Sequence, residues 1–304
     1  MTKFILSRFL QAIVGLLAVT LITFVIVRLI GDPVTTILPI DATREQIEDV
    51  RKSLGLDQPL WKQYEIYMSG LLHGDLGTSI KNRQPVSELI RERLPATLQL
   101  GLVSLAITFF TAIPLGVYAA ARKGSFIDWG ARILAILGQS IPVFWLAIIL
   151  IQVFAVQLGI LPPGGRGSWN QLVLPSVTLG IFLCSGLVRL TRSSMLEVLE
   201  SDYVKMARAK GVSEQVVLWK HAFRNAAIPV LTFSALLVVA ILTGAVIVET
   251  VFAWPGLGRL VVDSVRSRDL TVVQGVIFLF AAFYIMANLV VDLMYAYLNP
   301  RIRF

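Results

Sequence analysis

Long stretches without a charged residue divide this chain into regular segments. About 20 apolar residues form a helix long enough to cross a bilayer core about 30 Å thick. The chain holds six runs of at least 19 uncharged residues, so the pattern predicts six transmembrane helices. The third run ends in the loop sequence 161–165, so we expect one helix within it. The six runs lie between Arg8 and Arg28, Arg93 and Arg122, Arg132 and Arg166, Arg166 and Arg189, Arg224 and Glu249, and Asp269 and Asp292.

The composition agrees with a membrane protein. Of the 304 residues, 56% are apolar and only 15% are charged, and the mean hydropathy is +0.76. A soluble domain carries about 25% charged residues. Lys3 and Arg8 precede the first run as in a signal peptide, but this run is too long and lacks a small-residue cleavage site. We therefore interpret it as a retained transmembrane helix.

The distribution of basic residues predicts the orientation. With the N-terminus in the cytoplasm, the inward segments 1–8, 122–132, 189–224 and 300–304 hold 14 Lys and Arg residues. The short outward segments hold five, and segment 31–93 is too long to be counted reliably. We expect both termini to be cytoplasmic. Cytoplasmic loops also account for the net charge of +8 without nucleic acid as a partner.

Between the first two runs lies a long polar segment that we expect to be external. Thr43 and Gln46 have the spacing of a capping box, which predicts a helix start, and Gly55 can end that helix. Pro59 can begin a second short helix. The segment is thus predicted to be a small helical cap. The chain divides into the first transmembrane helix in 1–30, the external helical segment 31–93, and a five-helix core 94–304 with a cytoplasmic loop 189–228.

Within the runs, prolines and small residues suggest how the helices bend and pack. Pro142 removes a backbone hydrogen bond and can kink the third helix. Gly180 in the fourth run and Gly244 in the fifth belong to series of small residues spaced by four, which let helices approach closely. Pro114 in the second run is expected to act like Pro142.

No enzymatic or metal site is predicted. A P-loop needs Gly-Lys followed by Ser or Thr, and the chain has no Gly-Lys dipeptide. The two histidines, His73 and His221, fall on opposite sides of the predicted membrane, and Cys184 is the single cysteine. Asp292 is the one ionisable residue that could serve an ion-coupled carrier, and its position favours helix packing or an interfacial role. We expect no catalytic residue and no cofactor bound by this chain.

The cytoplasmic loop has an unusual pattern, DYVKMARAKGVSEQVVLWKHAFRNAAIPV at 202–230. Before Gly211, the residues Tyr203, Met206 and Ala207 are predicted to form one helical face. After it, Val216, Trp219 and Phe223 recur at helical spacing, and Ser213 can cap the second helix. Both helices are predicted to bring apolar side chains into water. Such helices lie on a lipid surface or dock into a partner's groove. The small residues Ala207 and Ala209 favour a protein partner.

These residues carry a resemblance that extends over nearly the whole chain. DYVKMARAKGVSE followed by HAFRNAAIPVLT resembles the cytoplasmic coupling loop of ABC importer permeases, and in particular the dipeptide/oligopeptide permease family. Other importer permeases have Glu-Ala-Ala where this chain has Lys205-Met206-Ala207. Further matching motifs follow in order: GDP at 31–33, LGLDQPL at 54–60, HGDLGTS at 73–79, LPATLQL at 94–100, IPVFW at 141–145, LPS at 174–176, VETVFAWPGLGRL at 248–260, VVQG at 272–275 and NPRIR at 299–303.

The resemblance implies an all-α, polytopic, type I ABC importer permease fold and an inner-membrane location. It also implies that the chain is a permease subunit and not an enzyme. It would form half of the path for di- or oligopeptides beside a homologous second permease, as in a heterodimer. Two cytoplasmic ATPase subunits would bind ATP and Mg, an external binding protein would deliver the substrate, and lipid would surround the spans.

Two sets of site residues follow from the resemblance. The ATPase-coupling loop corresponds to Tyr203, Ala207, Arg208, Ala209, Gly211 and Ser213, where Gly211 allows a tight turn. In the outer loop, an external gate or a contact with the binding protein corresponds to Trp254, Pro255 and Gly256. An interfacial anchor followed by a turn explains the tryptophan equally well.

Four alternatives to a peptide importer remain. Relatives in the same family move glutathione, nickel or oligosaccharides. A stand-alone ion-coupled carrier would need more ionisable residues within the spans, and an intramembrane enzyme would need a convergent nucleophile, base or metal set. A membrane scaffold without transport is also compatible with the sequence.

Overall fold

A computed structural model describes residues 2–30, 42–53 and 55–298 of the chain. The sequence motifs at 31–33 and 299–303, part of the predicted external segment and the side chain of Asp292 lie outside the described residues. The regular elements of the described part are helices, apart from one isolated bridge between Thr78 and Pro85. The predicted all-α class is therefore confirmed.

Eleven helices are numbered here in chain order within the described residues. Two of them have π-helical neighbours: Ile151–Gln157 follows α6, and Val217–Ala222, with the short helix Glu214–Val216, precedes α9. The helices are α1 Thr2–Ile30, α2 Arg44–Ser53, α3 Leu60–Leu72, α4 Val86–Ala121, α5 Phe126–Ser140, α6 Val143–Leu150, α7 Trp169–Leu199, α8 Asp202–Ala209, α9 Phe223–Val251, α10 Leu257–Arg266 and α11 Leu270–Leu298.

The predicted membrane spans are present, with one change. Within the described residues, five continuous helical segments are long and apolar enough to cross a membrane: Leu6–Leu29, Val86–Ala121, Trp169–Leu199, Glu214–Ile241 and Leu270–Val290.

The third predicted span is broken. Helices α5 and α6 meet at an angle of 110° around Ile141 and Pro142, so the expected single kinked helix is two helices. Pro142 is the N-cap of α6, where its missing N–H costs no helical bond. If this bent pair counts as one span, the structure has the six that the sequence predicts.

The described residues form two compact units, 1–96 with 256–304 and 97–255, and the boundary falls within α4. In the first unit α1 packs along α11, and α3 packs against the second half of α1. The Thr20 hydroxyl hydrogen-bonds with the Tyr64 hydroxyl at 2.9 Å, and the Phe24 and Tyr64 rings lie 5.3 Å apart. A buried cluster joins α4, α10 and α11: Val86, Leu89, Ile90, Leu257, Leu260, Val272 and Val276.

The two short helices of the polar segment agree with the prediction. The Thr43 hydroxyl accepts the Gln46 N–H at 3.3 Å, and the Gln46 side chain accepts the Thr43 N–H at 3.0 Å. Gly55 has φ +65°, and Pro59 is the N-cap of α3. The capping box and both helix ends are therefore confirmed. Their position outside the membrane stays a prediction.

In the second unit α7 is the central helix, and it packs against α5, α6 and α9. Small residues allow these close approaches. A Cβ at Gly180 would lie 3.1 Å from Ile107, and one at Gly244 would lie 2.8 Å from Leu179. The prediction that these glycines lie at helix contacts is confirmed.

Candidate functional site

The loop that is predicted to be cytoplasmic, called the inner loop below, begins where α7 ends. Its first helix is short and sharply terminated. Helix α8 begins after Ser201, and Asp202 in its first turn suits the positive helix start. It ends in a Schellman motif: the N–H of Gly211 bonds to the Arg208 carbonyl at 2.9 Å, and the N–H of Val212 bonds to the Ala207 carbonyl at 3.2 Å. Gly211 has φ +76°, a conformation that favours glycine. The predicted tight turn is therefore present.

One face of α8 is fixed to the core of its unit. Val204 is fully buried and Ala207 is nearly so. They join a cluster with residues from α4, α7 and the start of the fifth span: Val117, Ala120, Met195, Leu199, Val217, Leu218, Ala222 and Ala226. Burial at this density resists rotation of a short helix, so α8 is rigidly mounted on α7 and its neighbours.

The neighbouring face of α8 is open. Met206 is 59% exposed and Tyr203 is also exposed. The Asn225 amide donates to the Tyr203 hydroxyl at 2.6 Å, which orients the ring. This leaves a polar-rimmed apolar face on a fixed helix.

An ion pair spans the turn after α8. Arg208 donates to both oxygens of Glu214, with Nη2–Oε1 at 2.7 Å and Nε–Oε2 at 3.2 Å. The Glu214 carboxylate raises the pKa of the Arg208 guanidinium through these hydrogen bonds. Bidentate pairs of this kind fix geometry as well as charge. The pair holds the two helices of the loop in one arrangement.

The structure divides the predicted coupling residues into two groups. Tyr203, Arg208, Ala209, Gly211 and Ser213 are exposed, while Ala207 faces the buried cluster. Ala207 therefore holds α8 in place and does not present its side chain to a partner. Contact of any of these residues with an ATPase stays a prediction.

The expectation that both helices expose their apolar residues was wrong for the second helix. Trp219 packs between Tyr118 and Phe223, with ring centroids 6.2 Å and 5.3 Å apart. Val216 alone of the predicted apolar series Val216, Trp219 and Phe223 is exposed. The second helix thus serves as the anchor, and α8 provides the free face.

A charged cluster near this loop was missed by the sequence analysis. The Asp128 carboxylate is buried at the start of α5, and it accepts hydrogen bonds from Arg132 at 2.6 Å, from Arg192 and from the Gly124 N–H at 2.9 Å. Asp128 and Arg132 show i,i+4 spacing, but the contact with Arg192, 64 residues later, has no local signal. The cluster connects α5 to the part of α7 that carries α8.

The turn after α9, which is predicted to be external and is called the outer turn below, is closed. Trp254 is 1% exposed, and its backbone N–H donates to the Glu249 backbone carbonyl at 2.8 Å. The Gly165 N–H donates to the Phe252 carbonyl at 2.8 Å, and a Cβ at Gly164 would lie only 2.1 Å from that oxygen. The glycine pair of loop 161–167 thus lies directly on the turn.

The Trp254 indole is buried in this conformation, so the ring alone does not present a surface. Contact of this turn with a binding protein stays a prediction, as does the interfacial anchor. The Trp254 ring borders an open cavity of about 540 Å³ and lies 5.8 Å from the Arg166 guanidinium. The gate reading of Trp254, Pro255 and Gly256 stays a prediction.

Glu249 is a second residue that the sequence analysis missed. Its carboxylate is fully buried in α9 and accepts a hydrogen bond from the Thr97 hydroxyl at 2.6 Å. Burial of an ionisable group within a membrane span commonly indicates a functional or structural requirement. Its position at the edge of an uncharged run hid this, because sequence spacing alone suggests an exposed end.

Comparison with protein families identifies the class of protein. The family model described as "Binding-protein-dependent transport system inner membrane component" matches residues 112–304, and the model for the N-terminal part of such a component matches residues 1–101. The chain belongs to this family. It is a multi-pass permease subunit of an ABC importer, a transport component and not an enzyme class. Such a subunit works with a partner permease, an ATPase and a substrate-binding protein.

Two relatives are similar to this chain over its full length. The chain is 45% identical over 305 residues to the glutathione transport system permease protein GsiC of Salmonella typhi, with all of both chains covered. It is 44% identical over 313 residues to a protein of Brucella abortus named for peptide transport as a permease, again over both full lengths.

Solved structures agree on the fold. The inward-facing MetNI methionine ABC transporter matches with a TM-score of 0.58 at 18% identity, covering 69% of this chain and 96% of that one. An amino acid ABC transporter matches with a TM-score of 0.51 at 17% identity, covering 71% and 94%. At these identities the likeness establishes the ABC permease fold alone.

Proposed function

We propose that the exposed face of α8 is the surface through which cytoplasmic ATPase subunits drive this permease. The observation that carries the proposal is the two-sided character of the helix, with Val204 and Ala207 buried while Tyr203 and Met206 are open. A helix without packing contacts cannot transmit a displacement, and a fully buried helix has no surface that a partner can bind. A short helix with one packed face and one exposed face can bind a partner and also transmit its displacement.

The proposed coupling is mechanical. ATP and Mg bind the partner subunits, and the closure of these subunits displaces α8. The displacement passes to α7 through Met195 and Leu199, and to α5 through the Arg192–Asp128 contact. The spans then exchange between inward-open and outward-open states. Such coupling requires contacts that differ between the two states.

The proposed assembly has one homologous second permease, two ATPase subunits and an external binding protein. Both termini are cytoplasmic in this arrangement, because the inward segments hold 14 Lys and Arg residues and the short outward segments hold five. This orientation puts the inner loop beside the ATPases and the Trp254 turn on the outer side.

At the outer side, the closed turn of Trp254, Pro255 and Gly256 is the proposed gate. Its support is the tight packing of Gly164 on the Phe252 carbonyl, together with a cavity beside the Trp254 ring. Opening would separate loop 161–167 from the turn.

The proposed cargo is a di- or oligopeptide. Support comes from the Brucella relative named for peptide transport and from the Salmonella relative named for glutathione, which is itself a tripeptide. Glutathione is the second candidate, favoured by the 45% identity with that permease.

The assembly is tested by affinity purification of the tagged chain from its native membrane, followed by intact mass measurement. We expect a second permease and two ATPase copies. An active transporter that contains this chain alone would contradict the proposal.

The coupling is tested by Gly211→Trp in proteoliposomes that contain the complete complex. Gly211 has open space around it, so an indole there meets no neighbouring atom and protrudes at the turn beside α8, although φ +76° strains the backbone. We expect ATP hydrolysis to continue while uptake is lost. Normal uptake by this variant would refute the assignment.

Cargo selection is tested by uptake of a labelled dipeptide in the same proteoliposomes, with unlabelled glutathione or tripeptide as competitor. Competition by the tripeptide and none by glutathione supports a general peptide cargo. Competition by glutathione that exceeds that of the tripeptide supports the second candidate.

A further inference from the structure

The first unit contains a cavity that the transport proposal does not use. It has a volume of about 390 Å³ and lies among the end of α1, helix α3, the segment that follows α3, and the first turns of α11. A pocket of this size suits a small ligand or a headgroup. Its polar lining residues are Arg28, Tyr67, Asp75, Thr78, Thr271 and Gln274.

Two buried polar groups of the lining lack partners. Gln274 is only 7% exposed, and within the described part of the chain its Nε2 atom has no hydrogen-bond partner. Near the Gln274 amide and the Thr23 side chain lies the Tyr67 hydroxyl, which also lacks a partner at hydrogen-bond geometry among the described residues. Burial raises the pKa of this hydroxyl, so it keeps its proton and can donate. Buried polar groups are normally satisfied, so two orphaned groups beside one cavity indicate a ligand with acceptor atoms.

Arg28 is the basic residue of the lining, and it favours an anionic acceptor. The Arg28 guanidinium donates from Nε to the Gln63 side chain at 2.9 Å and lies 4.3 Å from the centre of the Phe24 ring. These contacts hold the cation at the wall of the cavity. The N-terminal end of α11 also lies in the wall, through Leu270 and Thr271, but the buried Asp269 carboxylate already lies at this helix start and accepts hydrogen bonds from Ser79, Ile80 and Lys81. The donors for an anion are therefore the side chains of Gln274, Tyr67 and Arg28. A phosphate matches this set of donors.

One acidic residue sets a second requirement. Asp75 is exposed and borders the cavity, and its Oδ1 atom accepts the Gly77 N–H at 2.8 Å. A carboxylate accepts several hydrogen bonds, so Asp75 can also receive an ammonium group. The ligand that suits all these residues has a phosphate and, within a few bonds, a primary amine.

The surroundings favour a lipid as the source of that ligand. Apolar residues Val27, Ile66 and Leu270 line the same cavity. On α1, Val25 and Leu29 next to this site are exposed, with Leu29 at 79%. An apolar outer face beside a polar pocket at a span end is the setting of a phospholipid headgroup.

We propose that this cavity binds the headgroup of a phosphatidylethanolamine molecule. Gln274, Tyr67 and Arg28 hold the phosphate, Asp75 receives the ammonium group, and the acyl chains follow α1. The outer leaflet is implied by the orientation proposed above, but the site itself does not depend on the transport proposal.

The experiment measures retained lipid on the purified permease complex by native mass spectrometry after incorporation into nanodiscs. Gln274→Glu keeps the size of the side chain and adds a negative charge beside the phosphate. We expect about tenfold less bound phosphatidylethanolamine, because an amide that donates to the phosphate is replaced by a carboxylate that repels it. Gln157→Glu, which makes the same change at an exposed amide of the second unit, should retain wild-type lipid. Equal retention by both variants would overturn the site.

Further arms separate folding and ligand source. Gln274→Met removes the donor without adding charge, so it should lose lipid less severely while the complex keeps its melting temperature. Displacement of the lipid by millimolar inorganic phosphate or glycerophosphoethanolamine would identify a free-anion site and overturn the lipid assignment.

Headgroup preference tests the role of Asp75. In wild-type complex we expect phosphatidylethanolamine to outcompete phosphatidylcholine, whose trimethylated amine cannot donate a hydrogen bond. Asp75→Asn should remove that preference. Equal retention of the two lipids by the wild type would refute the ammonium contact.

Discussion

The inner loop and the outer turn of the second unit are built in opposite ways. At the inner loop, α8 buries Val204 and leaves Met206 exposed, so an apolar surface is available for contact with another molecule. At the outer turn, Trp254 is buried and Gly164 lies against the backbone of Phe252, so these residues offer no comparable apolar surface. An exposed surface on a firmly packed helix suits a partner that displaces the helix. A tightly packed turn suits a gate that opens when its contacts separate.

The difference also concerns which interactions must be tight. Docking needs a fixed base and tolerates variation at the exposed positions. Closure depends on backbone approach, which only glycine permits. Mutations should therefore act mainly through stability at the outer turn and mainly through coupling at the exposed face of α8.

The largest effect is expected at the outer turn. In Gly164→Ala the new Cβ would lie 2.1 Å from the Phe252 carbonyl oxygen, and backbone atoms cannot yield as a side chain can. We expect a loss of about 3 kcal/mol or more in the free energy of unfolding, measured by thermal unfolding of the purified complex. Gly130→Ala is the matched control, because a Cβ there meets open space. Equal melting temperatures of the two variants would show that the turn is not closed in this way.

The two faces of α8 should separate stability from coupling. Val204→Ala removes two fully buried methyl groups and should cost about 2 kcal/mol. Met206→Ala, at a position 59% exposed, should change stability by less than about 0.5 kcal/mol but reduce ATP-driven uptake. Thermal unfolding and uptake by the same preparations give both values. If Met206→Ala transports normally while it is as stable as the wild type, the exposed face has no coupling role.

A smaller effect is expected at the turn after α8. Gly211 has φ +76° and open space around it, so Gly211→Ala meets no steric neighbour but pays about 1 kcal/mol for the backbone conformation. Asparagine tolerates this conformation better, so Gly211→Asn should be closer to wild type. Thermal unfolding of the two variants measures the difference. Equal destabilisation by Ala and Asn would mean that the conformation itself is not the constraint.

The smallest effect is expected from the ion pair across the same turn. Arg208→Glu should cost about 0.2–1 kcal/mol, because the pair is exposed to solvent. The double variant Arg208→Glu with Glu214→Arg should recover part of that loss, and high salt should reduce the difference. A double-mutant cycle of unfolding free energies measures the interaction. No coupling between the two positions at low salt would exclude the pair as a brace of the loop.

The sequence could predict those features that follow from local chemistry. The uncharged runs identified the spans, and Thr43 with Gln46 located the start of α2. Gly211 located the turn of the inner loop, because a glycine between two short helices has a local signature. Pro142 located a break but not its size, since the 110° bend depends on how α5 and α6 pack on α7.

The remaining features depend on residues that are distant in sequence. Asp128 meets Arg192 from another helix, and Thr97 meets Glu249 across 152 residues. The helical period at 203–207 predicted an apolar face but placed Tyr203 and Ala207 together, whereas packing on Met195 selects Val204 with Ala207. Similarly, the sequence placed Trp254 in a loop, but its burial depends on tertiary packing.

Photo-crosslinking from position 206 shows whether α8 contacts an ATPase. A benzophenone amino acid would replace Met206 in the complete complex, with Leu72, an exposed residue of α3, as the control position. We expect an adduct between position 206 and an ATPase subunit, dependent on the assembled complex, and no such adduct from position 72. Adducts of position 206 with lipid or with an external binding protein, and none with an ATPase, would contradict this expectation.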